Sequence, residues 1–267
     1  MSRLRDSVRR RRGTAEPVPA HALSPADDEL AREFAGLAGE LAEADETRRR
    51  RALATVRRRV SRTGSVTWHG FRSAGHWMSE QMLAMAPRIP VRDAAMLRRQ
   101  YPGKTPEEIA DILIRGAGRT AAGIGAAMGA AAVLPVMPAM PVEVTTETLA
   151  VVAIELKLIA ELHEVYGLRA PGSVVERASA YVGSWARRSG VIGLAPGGII
   201  LAMGSPLRRR LQRRLLARAG RSATSLGPLL TGVAAGAWLN QRETHKLGEE
   251  IRNDLRHRSP LAGRWPS

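Results

Sequence analysis

Between positions 155 and 164 stand Glu155, Lys157, Glu161, His163 and Glu164, the residue types that move protons or hold metal ions. A zinc helix of the His-Glu-x-x-His kind needs a second histidine four positions after the first. Here His163-Glu164 is followed by Val165-Tyr166-Gly167, so that site is absent. A carboxylate-bridged two-metal bundle needs Glu-x-x-His, and position 160 is alanine. Lys157 and Glu161 have the i,i+4 spacing of a helix-stabilising ion pair, in the less favourable order. Two readings follow. The group is a set of paired surface charges, or it is a polar site in an enzyme, with Glu155 and His163 as the candidate catalytic residues.

Other catalytic signatures fail on spacing. Gly103-Lys104-Thr105 looks like the end of a phosphate-binding loop, but Arg98 stands where its first glycine belongs and Pro106 follows. Gly123-x-Gly125-x-x-x-Gly129 misses the dinucleotide spacing by one residue. No Gly-x-Ser-x-Gly nucleophile elbow occurs. His69 and His76 would be separated by about 10 Å of helical rise, too far to share a metal ion. The chain has no cysteine, which excludes disulfides, iron–sulfur clusters and thiolate zinc sites. No cofactor and no metal are expected.

Charge points to a partner rather than a reaction. The 267 residues carry a formal net charge of +16, and only three of the 41 cations, Lys104, Lys157 and Lys246, are lysines. A pI near 11.5 implies phospholipid, nucleic acid or an acidic protein as partner. The arginines are grouped. Arg48, Arg49, Arg50 and Arg51, then Arg57, Arg58, Arg59 and Arg62, wrap most of a helix and leave a thin apolar stripe at Leu53, Val56 and Val60. A second group, Arg208, Arg209, Arg210, Arg213 and Arg214, lies in Leu207–Arg221, which has seven arginines and no acid. With Leu207, Leu211 and Leu215 on one face, this is a basic amphipathic helix suited to anionic membranes.

The elements that carry these groups read as helices throughout, with no strand alternation, so an all-α fold is expected, a helical bundle. Residues 1–26 read as a disordered basic tail, with Ser24 and Pro25 as the cap and first position of a helix. Residues 27–62 form an Arg-rich helical extension. Trp77, Met78, Met82 and Met85 recur at core spacing. Thr105-Pro106-Glu107-Glu108 is a capping box, and Gly167 is placed to end a helix beginning near Val144. Residues 63–258 form the helical domain, its last helix ending near Pro260, and 259–267 are a tail.

Three stretches have no charge at all: Thr120–Val142, Ser189–Leu207 and Ser222–Gln241. Pro135, Pro138 and Pro141 make the elbow of an apolar helical hairpin, since proline cannot continue a helix. Gly125-x-x-x-Gly129 and Gly232-x-x-x-Gly236 let helix backbones approach closely, in a bilayer or in a core. Arginines flank the later stretches on both sides, which fits shallow or re-entrant insertion, or a docked bundle, better than full spanning. Trp185 and Trp238 are placed for the membrane interface or for core packing. No leader segment is visible, so the chain is expected to start and stay in the cytoplasm.

The segment GIGAAMGAAAVLPVMPAMPVEVTTETLAVVAIELKLIAELHEVYG, Gly123–Gly167, resembles the EcsC protein family in its Gly-rich apolar helix, Leu-Pro elbow and long helix ending in Tyr-Gly. Met137 and Met140 stand in the elbow, where family members often carry an acidic residue. GPLLTGVAAGAWLNQRETHKLG, Gly227–Gly248, is similar to the family's second signature, matched at Asn240, Thr244 and Gly248. The resemblance covers roughly residues 105–257. It implies an α-helical, membrane-associated bacterial protein of unestablished activity, with an ABC-transporter-type membrane complex as a possible partner. The expected function is an accessory or scaffold protein on the cytoplasmic face of the cell membrane, contacting anionic lipid through its arginines. Nucleic-acid binding through the same arginines is the rival; against it, no helix-turn-helix or RNA-binding module is recognisable.

Overall fold

The structure, a computed structural model, describes residues 23–43, 45–63, 71–131, 140–188 and 231–259. These residues form eight α-helices and no strand: α1 (Pro25–Glu43), α2 (Glu46–Thr63), α3 (Phe71–Met85), α4 (Ala94–Gln100), α5 (Pro106–Ala131), α6 (Met140–Val165), α7 (Val174–Arg188) and α8 (Thr231–Arg258). A short 3₁₀ turn, Ala86–Arg88, joins α3 to the loop before α4. The fold is all-α, as expected.

Local chemistry sets the helix ends. At α1 the Asp27 amide donates to Ser24 Oγ at 3.2 Å, so Ser24 caps and Pro25 takes the first position, where its missing N–H costs nothing. At α5 the capping box closes both ways: Glu108 N donates to Thr105 Oγ1 at 3.3 Å and Thr105 N to Glu108 Oε2 at 2.9 Å. The end of α6 is a Schellman turn. Leu168 N donates to His163 O and Gly167 N to Glu164 O, with Gly167 at φ 65°, a conformation that costs glycine nothing.

Helix α6 is the centre. From Val144 to Leu162 every residue is buried, including Glu147, Glu155, Lys157 and Glu161. α5 and α8 pack against it and each other. α1, α2 and α3 cover another side, and α7 a third. At one end of the trio Tyr166, at the end of α6, donates to Glu107 at the start of α5, and Arg252 near the end of α8 donates to the same carboxylate; both bonds measure 3.0 Å. α5 therefore runs antiparallel to both α6 and α8. At the other end Gly125 faces Gly236. A Cβ on Gly125 would lie 3.0 Å from the Gly236 backbone and 2.8 Å from Asn240 Nδ2, so at this point the helices touch backbone to backbone. Gly129 and Gly232 fall within α5 and α8.

The Arg-rich extension is part of this body. Leu53, Val56 and Val60 are buried in the same apolar core as Leu30, Phe34 and Leu41 of α1 and the α6 residues. Met78, Met82 and Met85 are core residues too, and Trp77 donates its indole N–H to Asp27 at 2.7 Å.

Two expectations change. Pro141 does not end a helix: it is the second residue of α6, where a proline lacks an N–H that had no intrahelical acceptor anyway. Lys157 and Glu161 are not surface charges, as shown below. Pro135, Pro138, the second uncharged stretch and Leu207–Arg221, with Arg208, Arg209, Arg210, Arg213 and Arg214, lie outside the described residues. Among the described residues, no helix is long and apolar enough to cross a membrane.

Candidate functional site: charged groups buried around α6

Glu155, Lys157, Glu161 and Glu164 are almost fully buried, and α6 directs them to different neighbours. Glu155, 1% exposed, turns towards α7 and α8. Its Oε2 accepts the Trp185 indole N–H at 2.8 Å, and its Oε1 accepts the Thr244 hydroxyl at 3.0 Å. Two turns earlier, Glu147 accepts from Asn240 Nδ2 at 2.7 Å. Asn240 and Thr244 thus tie α8 to carboxylates of α6. Gly248 continues that face, its backbone against Ile114 and Leu158. A buried carboxylate left without donors would cost several kcal/mol, so these bonds fix how the three helices dock.

Glu161 and Lys157 face the opposite way, towards the loop before α4. Lys157 Nζ lies 2.7 Å from Glu161 Oε1 and donates to Pro90 O at 2.6 Å. Arg92 grips the same carboxylate with Nε at 2.8 Å and Nη2 at 2.7 Å, a two-pronged contact, and its Nη1 reaches Gln100. Burial pushes the Glu161 carboxyl up, but Arg92 and Lys157 outweigh it and hold it below the ordinary range. The bond to Glu161 outweighs burial at Arg92 and raises its guanidinium further. Nothing local in the sequence marks Arg92 as the partner of Glu161, from which the chain separates it by 69 positions.

His163 is half-buried and sits apart from Glu155. Its Nδ1 lies 2.7 Å from Ile159 O and acts there as the donor; the ring centroid is 4.9 Å from that of Tyr181 on α7. Burial is the main reason its imidazole titrates below the usual value. Glu164 pairs with Arg169 at 3.0 Å, and burial raises its carboxyl. It lines a cleft of about 220 Å³ between α6, α7 and the 3₁₀ turn, with Arg169, Arg177 and Tyr181. A second cavity, about 190 Å³, opens beside Lys157, Glu161 and Arg92. Neither Glu155 nor His163 lines either one.

The arginines of α2 divide. Arg48, Arg50, Arg51, Arg58 and Arg59 are exposed, Arg49 and Arg57 half-buried. Arg59 pairs with Glu29 and Glu33 of α1, and Arg49 Nε donates to Leu41 O at 3.2 Å, so these two hold α2 to α1. Arg48 keeps a 3.7 Å contact with Asp45 at the helix start. Of the two tryptophans, Trp185 is fully buried and belongs to the core, whereas Trp238 is 55% exposed with Arg242 stacked 5.0 Å over its ring.

Among the described residues no cluster of three or more His, Asp or Glu could hold a metal ion. The class defined by these features is an all-α protein with buried carboxylates in its central helix and an arginine face on its outside. The chain matches no family model, no curated protein and no solved structure.

Proposed function

We propose that the protein is a peripheral accessory or scaffold protein at the cytoplasmic face of the cell membrane, held to anionic lipid by its arginines. One observation carries this reading: α2 spends its apolar stripe on the protein core and turns Arg48, Arg51, Arg58 and Arg62 outward. Close to an anionic surface each such cation is worth roughly 1 kcal/mol. Trp238 beside Arg242 adds an exposed aromatic–cation pair of the kind found at headgroup depth. The residue-level resemblance to the EcsC family supports the same placement and suggests an ABC-transporter-type complex as partner. The enzyme reading needed Glu155 and His163 in one cavity; both face α7, but two turns of α6 apart, and neither lines either of the two cavities described above, so it is not proposed further.

Flotation of the full chain with vesicles tests this. Binding to vesicles containing phosphatidylglycerol, little binding to phosphatidylcholine alone, and release by high salt are expected. Replacing Arg48, Arg51 and Arg58 together by glutamine is expected to weaken binding without unfolding the protein. Equal binding to both vesicle types would sink the reading, as would duplex DNA outcompeting the anionic vesicles.

A further inference from the structure

The 190 Å³ cavity beside α6 has an unbalanced charge. Lys157 and Arg92 have side chains only 8% and 15% exposed, and both are tied to Glu161, 3% exposed. Two cations on one anion leave one positive charge in excess. Buried charge is expensive unless it is paired. Arg119, on the rim, adds a second positive charge and makes no hydrogen bond or ion pair among the described residues. Donors are also left over. Lys157 has three N–H groups and spends two, on Pro90 O and Glu161.

Helix α5 forms the facing wall, and its Gly116 lines the cavity. A Cβ built there would meet nothing within 4 Å. Glycine is the poorest helix former after proline, and here no close packing requires it. What it does is leave the cavity open. Leu113, Ile154 and Leu158 complete an apolar wall beside the charged end.

We infer that this cavity binds the phosphate group of a small phosphate monoester. The dianion takes N–H donors from Lys157, Arg92 and Arg119, and its substituent lies along the Leu113–Leu158 wall. Two excess positive charges match a dianion, and the volume holds a phosphate with a short substituent. The inference does not rest on the membrane reading, because the arginines of α2 line no part of the cavity. The phosphate could come from a soluble ester or from a lipid headgroup.

Titration calorimetry of the full chain with glycerol 3-phosphate and with dihexanoylphosphatidic acid tests it. One saturable site is expected. Gly116→Leu fills the cavity and abolishes that site while the thermal melt shows a fold at least as stable. Arg119→Gln weakens it about tenfold, the effect of one charge-assisted hydrogen bond. The triple glutamine variant of α2 leaves it unchanged. Tighter binding of the phosphatidic acid assigns the source to lipid; equal or tighter binding of glycerol 3-phosphate assigns it to a soluble ester. No saturable binding of either probe overturns the inference, and so does binding that survives Gly116→Leu.

Discussion

Arginines on α2 and the arginine beside α6 carry the same charge into opposite settings. Arg48, Arg51, Arg58 and Arg62 of α2 stand in solvent on a helix whose apolar stripe faces inward. Water and salt screen them, so each is worth little to the fold. Arg92 is locked to a buried carboxylate by two bonds at 2.7 and 2.8 Å, where screening is weak and a missing partner is costly. Clustered arginines are thus evidence about what the surface meets. A single arginine opposite a buried glutamate is evidence about what the core requires.

The contrast is sharpest at Glu161. Glu161→Ala removes the anion that Lys157 and Arg92 share and is expected to cost about 3–5 kcal/mol in urea unfolding; a cost below about 1 kcal/mol would put this cluster in the same class as the surface pairs. Thr244→Val takes one donor from Glu155 at constant shape and is expected to cost about 1–3 kcal/mol, measured the same way. A smaller effect follows from His163. Burial lowers its folded value, so the unfolded chain takes up a proton first as pH falls. Its contribution to stability is full above about pH 6.5 and is lost as pH drops through the lowered folded value. Melting temperature between pH 7.5 and 5 should therefore fall less in His163→Gln than in the unchanged protein. Last, Arg51→Gln and Arg58→Gln should each alter stability by less than about 0.5 kcal/mol. A larger loss from either would show that α2 is held by charges and not by its apolar stripe.

Much of the fold could be read from the sequence because its signals are local. Ser24-Pro25, the Thr105–Glu108 box and Gly167 each declare a helix end within four residues. The Trp77–Met85 spacing declares a core face. The buried site was legible only in part. Spacing paired Lys157 with Glu161, but i,i+4 pairs occur in solvent and in cores alike; the signal for burial is that, Glu155, Lys157 and Glu161 aside, every residue from Leu149 to Leu162 is apolar. Arg92 carried no local sign, since its partner is set by tertiary folding. Helix α7 has a local sign of its own, a capping box of Ser173 and Glu176 at its start, Ser173 N donating to Glu176 at 2.7 Å. Pro141 sits inside α6 because the rule against proline holds in a helix interior and lapses in its first turn.

The meeting of α5 with α8 has a consequence for how the chain is made. Arg252 reaches back 145 residues to Glu107, and Asn240 reaches back 93 to Glu147. During synthesis α5 and α6 leave the ribosome long before the helix that covers them. At ordinary translation speeds that interval is on the order of ten seconds, far longer than helix formation takes. For that time a Gly- and Ala-lined apolar face with two glutamates lies open to the cytosol or to whatever holds the nascent chain. A stop codon anywhere before α8 would make the exposure permanent, and such fragments should be found bound to chaperones or degraded rather than folded.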